Sequence, residues 1–290
     1  MATDAGDFLL DERAWPASLA DAPRDLLRRI ISGVRRNPAL LGLAAAGSFR
    51  SGAMDEFSDL DLVVVVDPSR ADAVRERRAG LAAELGPLLC AFTGEHVGEP
   101  RLLICLYGPP VVHVDLKFLT PDELAVRVED PVLLWDRQGR TRAALDAGSA
   151  AWPDPDPQWI EDRFWTWVHY AAAKIGRGEL FEALDFTAFL RETVLGPLAL
   201  REAGAPANGV RRIERDAPAR ARQMRETVAR YDARDLVSAV RAAVALYREL
   251  RDRDGDSKLQ RSRAAEAAAV DYLDAVARKL GEANAPATPD

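Results

Sequence analysis

The sequence predicts an α+β chain: a mixed β-sheet with flanking helices over residues 1–150, followed by a helical bundle over residues 151–290. Three observations carry this. Short runs rich in Val, Ile and Leu alternate with helical stretches only in the first half. Past residue 157 no strand signal survives. Between the halves, Trp152-Pro153-Asp154-Pro155-Asp156-Pro157 alternates prolines, which withhold backbone donors and keep the residues before them extended, so it reads as a stiff linker.

In chain order, Ala22–Arg36 carries apolar residues at helical spacing. Leu41–Ala46 and Leu60–Val66 are short apolar runs of strand length. Pro68 and Ser69 stop the second strand and cap a helix over Ser69–Leu85. Arg101–Tyr107 and Val111–Phe118 are two further strands, and Val132–Trp135 is a short edge strand. Beyond the linker, Gln158–Ile175, Leu180–Glu202, Pro218–Tyr231, Ala233–Arg253 and Lys258–Leu280 read as helices. Gly176 and Gly178 break the first pair and Asp254-Gly255-Asp256 the last. The Ala/Pro/Thr tail, Gly281–Asp290, is expected to fray.

Composition narrows the function. Across 290 residues, 48% are apolar and 29% charged, the balance of a globular protein. A net charge of −7 argues against nucleic-acid binding as the main task, because neutralising phosphates needs clustered Lys and Arg. It is compatible with a cationic small molecule. No apolar run reaches the roughly 20 residues that cross a bilayer, so no membrane partner is expected. The N-terminus MATDAGDFLLDERAWP is acidic where a signal peptide is basic and then apolar, and only two cysteines occur, Cys90 and Cys105. A cytoplasmic location is expected. Oligomeric state is left open.

The informative segment is LAAAGSFRSGAMDEFSDLDLVVVVD, Leu43 to Asp67. A strand ends at Gly47-Ser48, where glycine admits a phosphate close to the backbone and the Ser hydroxyl adds a donor. Arg50 and Ser51 lie in the same turn. Asp59 and Asp61 flank Leu60 at the start of the next strand, so both carboxylates share one face while Leu60 takes the other. Two carboxylates so placed repel one another unless a cation lies between them, and hard oxygen ligands suit magnesium. Asp115, alone in the apolar run VVHVDLKF, offers a third carboxylate from another strand. Three such groups could hold two ions roughly 3.5–4 Å apart, as phosphoryl transfer uses them. His113 would share the face of Asp115. Asp55 and Glu56 read as surface charge.

Gly47-Ser48, Asp59-x-Asp61 and Asp115 together resemble the DNA polymerase beta-like nucleotidyltransferase superfamily over the first half of the chain. The resemblance implies metal ligation at Asp59, Asp61 and Asp115, and triphosphate contacts at Gly47 and Ser48, with Arg50 and Ser51 adding to them. Phe164–Glu179 is similar to the first helix of the helical domain in streptomycin (aminoglycoside 6-) adenylyltransferases. That likeness implies that Lys174 reaches the triphosphate of ATP or another nucleoside triphosphate, that the acceptor is aminoglycoside-like, and that antibiotic resistance is a role. Glu161, Glu179, Glu182 and Asp185, on the first two bundle helices, are candidate acceptor-binding or base carboxylates. Kanamycin-type relatives place a glutamate base one turn before the matching lysine, where this chain has Tyr170, so the base stays open. Two other readings remain: the same chemistry on a protein or tRNA, as in toxin-type enzymes, and a non-catalytic nucleotide-binding protein on the same scaffold.

Overall fold

The computed structural model describes residues 6–254 and 258–282, and the chain divides into two compact units between Trp152 and Pro153. The first unit holds the strands β1 (Phe8–Leu9), β2 (Leu40–Ala45), β3 (Leu60–Val66), β4 (Leu88–Gly94), β5 (Glu99–Tyr107), β6 (Val112–Leu119) and β7 (Val132–Asp136). They form one mixed sheet in the order β1-β7-β2-β3-β6-β5-β4. Only β3 and β6 pair in parallel, and the long connection such a pair requires holds a helix and the β4–β5 hairpin.

Alternation in LDLVVVV and VHVDLKFL decides which way each side chain faces. Leu60, Leu62 and Val64 of β3 and Val114, Leu116 and Phe118 of β6 are buried in one core with residues of two helices. Those helices are α1 (Asp21–Arg36), contributing Leu27, Ile30 and Val34, and α3 (Ala71–Leu85), contributing Val74 and Ala82. Apolar residues in α1 recur three and four apart while its arginines take the opposite side, which is why this stretch is a helix with one buried face. Each fully buried Leu or Ile contributes on the order of 1.5–3 kcal/mol. A smaller core of Leu41, Val65, Leu119, Leu124 and Ala144 lies on the opposite face, closed by the short helices α4 (Pro121–Ala125) and α5 (Arg140–Asp146). Asp61, His113 and Asp115 stay partly or fully open to solvent. A further short helix, α2 (Gly47–Ser51), follows β2 directly.

Two strands have no counterpart in the sequence reading. β1 is two residues long, and β4 (LLCAFTG) is an edge strand with register shifts against β5 and exposed Leu89 and Phe92. Without clean alternation, nothing in its sequence separates it from a loop.

The second unit is helical: α6 (Pro157–Gly176), α7 (Leu180–Leu190), α8 (Gly196–Glu202), α9 (Ile213–Asp216), α10 (Pro218–Met224), α11 (Ala233–Asp254) and α12 (Arg263–Glu282). Asp156 caps α6, accepting from the amides of Gln158 and Trp159, with Pro157 in the first turn. The core joins Phe164, Trp165, Val168, Leu190, Leu236, Val240, Tyr247 and Leu273, with Phe164 stacked on Tyr247 at 3.9 Å between ring centroids.

Three helix boundaries differ from the sequence reading. Leu180–Glu202 is not one α-helix, because Arg191–Leu195 forms a π-helical turn. Pro197 has no N–H to give the ladder, and a Cβ on Gly196 would stand 2.2 Å from the Gly209 carbonyl oxygen, so the backbone widens there. Pro218–Tyr231 stops as α-helix at Met224: Thr227 donates its hydroxyl to the Met224 carbonyl at 2.7 Å, and Arg191 occupies the Thr227 carbonyl at 2.6 Å. The last helix begins at Arg263 instead of Lys258, since the Ser262 amide is taken by Glu161 at 2.9 Å. The break at Asp254-Gly255-Asp256 and the tail from residue 283 lie at or beyond the edge of the described residues. No described helix is long and apolar enough to cross a membrane.

Candidate active site

The turn after β2 is built around Gly47. Its φ is +57°, a conformation that costs a side-chain-bearing residue strain. A Cβ there would also stand 1.9 Å from Asp61 Oδ2, so the absent side chain is what lets the Asp61 carboxylate lie against the turn. The Ala46 amide donates to the Asp61 carbonyl at 2.9 Å and ties the end of β2 to the start of β3. Phe49 pins α2 to the core, packing edge-on against Trp15 at 6.4 Å. Gly52 closes the helix in a left-handed conformation, donating to the Phe49 carbonyl.

Asp61 and Asp115 are register partners across the parallel β3–β6 pair, so their side chains leave the sheet on one face. Asp59 precedes β3 by one residue and is half-buried. His113 links the carboxylates from its place two residues before Asp115: Nε2 lies 3.0 Å from Asp115 Oδ1 and Nδ1 lies 3.9 Å from Asp59 Oδ2. The Ser48 hydroxyl is buried and has no hydrogen-bond partner among the described residues, leaving a donor uncommitted beside Gly47. Burying a hydroxyl unmade is costly, on the order of 1–3 kcal/mol, so a ligand oxygen at this place is the natural partner.

The structure therefore gathers Gly47, Ser48, Arg50, Asp59, Asp61 and Asp115 on one side of the first unit. Ser51 lies in the same turn, its hydroxyl turned back onto the carbonyls of Ser48 at 3.3 Å and Gly47 at 3.5 Å. Lys174, Glu179 and Glu182 lie together in the second unit, where the Lys174 ammonium is 2.7 Å from Glu179 and 3.0 Å from Glu182. These contacts hold the ammonium well above its usual range of ionisation, the bond from Glu179 contributing most. The Tyr170 hydroxyl donates a short hydrogen bond to Glu182, and that bond leads the causes that lower the Glu182 carboxyl. Asp185 is exposed one turn beyond Glu182. An aromatic series runs along α6 and α7 from Trp159 through Trp167, Phe189 and Phe186 to Tyr170, with successive centroids 4.8–5.5 Å apart.

One residue of the first unit escapes any sequence argument. Glu129, in the loop before β7, accepts from the Gly47 amide at 3.1 Å, and its other oxygen lies 3.8 Å from Arg50. Its neighbours VRVEDP give no periodicity and no motif, so only the folded chain shows it.

The donors fit magnesium in kind, being carboxylate oxygens, with Asp61 and Asp115 at paired positions of two neighbouring strands and room at Gly47 made by a missing Cβ. They are not drawn together: no group of three His, Cys, Asp or Glu side chains among the described residues is arranged to hold an ion, and the imidazole of His113 stands between two of the carboxylates instead. The turn makes a first prediction. Gly47→Ala should displace Asp61 as well as strain the backbone by about 1–3 kcal/mol. Thermal unfolding should report that loss, and nucleotide binding should fall with it; unchanged binding would show that the close approach of Asp61 to the turn is dispensable.

Residues 27–90 match the nucleotidyltransferase domain family model, a span that includes Gly47, Ser48, Asp59 and Asp61 and ends before Asp115. No curated protein matches the sequence. Among solved structures the chain is similar to an aminoglycoside 6-adenyltransferase from Bacillus subtilis, with 12% identity over 89% of this chain and 99% of that one and a TM-score of 0.39. It is also similar to a nucleotidyltransferase-like protein from Exiguobacterium sibiricum 255-15, with 11% identity over 90% of this chain and 89% of that one and a TM-score of 0.35.

Proposed function

We propose that this nucleotidyltransferase domain transfers AMP from ATP to a hydroxyl of a small amino-sugar acceptor, in a magnesium-dependent reaction. The observation that carries the reading is the register pairing of Asp61 with Asp115 beside the Gly47 turn. Asp59, Asp61 and Asp115 are the residues that would hold two magnesium ions. When bound, the ions offset the triphosphate charge and make the acceptor hydroxyl easier to ionise. The Gly47 amide and the Ser48 hydroxyl bind oxyanions of the triphosphate, and Arg50 adds positive charge. The acceptor oxygen forms a bond to the α-phosphorus, the bond from that phosphorus to the bridging oxygen breaks, and pyrophosphate leaves with the electron pair. The acceptor gives up one proton in the exchange. Most of the rate then comes from positioning and from fixed charge.

The acceptor class rests on the second unit. Glu179, Glu182 and Asp185 offer carboxylates, and Tyr170, bonded to Glu182, and Phe186 beside it offer flat apolar faces. Ammonium groups on a sugar ring match both features, the amines meeting carboxylates and the ring's C–H face meeting an aromatic. Lys174 pairs with both Glu179 and Glu182, and we assign it to fixing those two side chains. Lys174→Ala is then expected to raise KM for the acceptor several-fold more than KM for the nucleotide. The opposite split would restore Lys174 to the triphosphate.

The test of the reaction is pyrophosphate release from ATP across a panel of aminoglycosides, lincosamides and nucleotides. An amino-sugar-dependent signal that Asp59→Asn abolishes is expected. Release with no amino sugar, or release that survives Asp59→Asn, would overturn the reading.

A further inference from the structure

In the protein as it folds alone, one of its own carboxylates already occupies donors assigned above to the triphosphate. The Gly47 amide donates to Glu129 Oε1 at 3.1 Å, and Glu129 Oε2 lies 3.8 Å from the Arg50 guanidinium. The loop that delivers Glu129 is anchored beside it. Arg127 donates to the carbonyls of Leu145 and Gly148 at 2.9 and 3.0 Å and pairs with Asp130 at 2.6 Å. Val126 and Val128 on the same loop are exposed, and the Glu129 side chain is itself 38% exposed. Rotation of this one side chain into water would free the amide without opening the core or moving the anchored loop.

We propose that Glu129 is a built-in competitor at the nucleotide site, an anion that every phosphate group must displace before it can take the Gly47 amide. The inference rests on the reading of Gly47 and Arg50 as triphosphate contacts. A carboxylate and a phosphate cannot share one N–H, and at this separation they repel. Binding therefore draws on the fraction of molecules in which Glu129 has swung out, and apparent affinity falls by that fraction. The reduction is the same for every ligand that needs the amide. Ligands with few other contacts, such as inorganic phosphate, drop below useful binding, whereas a metal-complexed triphosphate has contacts to spare. A nucleoside without phosphates is untouched by it.

The experiment is calorimetric titration of the full chain, in magnesium, with a non-hydrolysable ATP analogue, with inorganic phosphate and with adenosine. Glu129→Ala is expected to bind the analogue and phosphate about tenfold more tightly than wild type, the size of a charge-assisted contact discounted for exposure. Glu129→Gln, which keeps an acceptor and loses the charge, should fall between, and adenosine should bind all three proteins alike. Hydrogen exchange supplies a second readout, since the Gly47 amide should exchange faster in Glu129→Ala than in wild type. If the analogue binds wild type but binds Glu129→Ala no more tightly, or if the Gly47 amide exchanges no faster, the competition is refuted while the triphosphate reading stands. If no form binds the analogue, both fall.

Discussion

Asp61→Asn should reduce turnover about a thousandfold or more while leaving the fold intact. The substitution keeps the shape of a side chain that lies against Gly47 and opposite Asp115, and removes only its negative charge. Losing one preorganised electrostatic contact to a transition state typically costs on the order of 10²–10³ in kcat, and a residue that also holds a cation loses that contribution too. Asp115→Asn should behave alike. The double variant should be little worse than either single one, because residues that act as a unit fail together. Pyrophosphate release in the presence of the acceptor measures the effect, with thermal unfolding as the control. Activity within a few-fold of wild type in Asp61→Asn would remove this carboxylate from the chemistry.

Glu161→Ala should destabilise the helical unit by about 3–5 kcal/mol, the range for breaking a buried ion pair from one side. Glu161 is fully buried (0% exposed) and joins α6, α11 and the start of α12. It accepts from Tyr247 Oη at 2.6 Å, from Trp165 Nε1 at 3.0 Å and from the Ser262 amide at 2.9 Å, and it lies 3.3 Å from Arg251. Truncation would leave Arg251, only 8% exposed, with the partly exposed Glu266 at 2.9 Å and Asp252 at 3.4 Å as its remaining carboxylate partners. Urea unfolding followed by tryptophan fluorescence reports the loss, because Trp165 is part of the cluster. A change within 1 kcal/mol would show that the cluster tolerates truncation.

The same group sets a pH dependence. Burial alone would push the Glu161 carboxyl up, but the hydrogen bonds from Tyr247, Trp165 and Ser262 and the charge of Arg251 outweigh it and hold the carboxyl below its usual value. A carboxylate lowered on folding contributes stability that is fully present above the unfolded value, about 4.3, and lost as pH falls through the folded value. The helical unit should therefore weaken below about pH 4, and Glu161→Gln should flatten that acid limb even though it is less stable at neutral pH.

The sequence by itself determined the order of events along the chain: a sheet-forming half, a proline-stiffened junction and a helical half. It also fixed the face of Asp61, because the two-residue period of a strand places it opposite the buried Leu60 and Leu62, whereas Asp59, expected on the same face, precedes the strand and is not held by its period. The β1 and β4 strands escaped it because an edge strand carries no strict alternation, and the π-helical turn at Arg191–Leu195 escaped it because its cause, the approach of Gly209 to Gly196, lies in another part of the chain.

Only the tertiary structure decided the pairings. That Asp115 stands opposite Asp61, that Glu129 reaches the Gly47 amide, and that Glu161 is a buried hub all depend on segments far apart in sequence. Local periodicity fixes which face a side chain takes. Register and loop placement fix what it meets there, and these come from packing of the whole core, which no single stretch of residues contains.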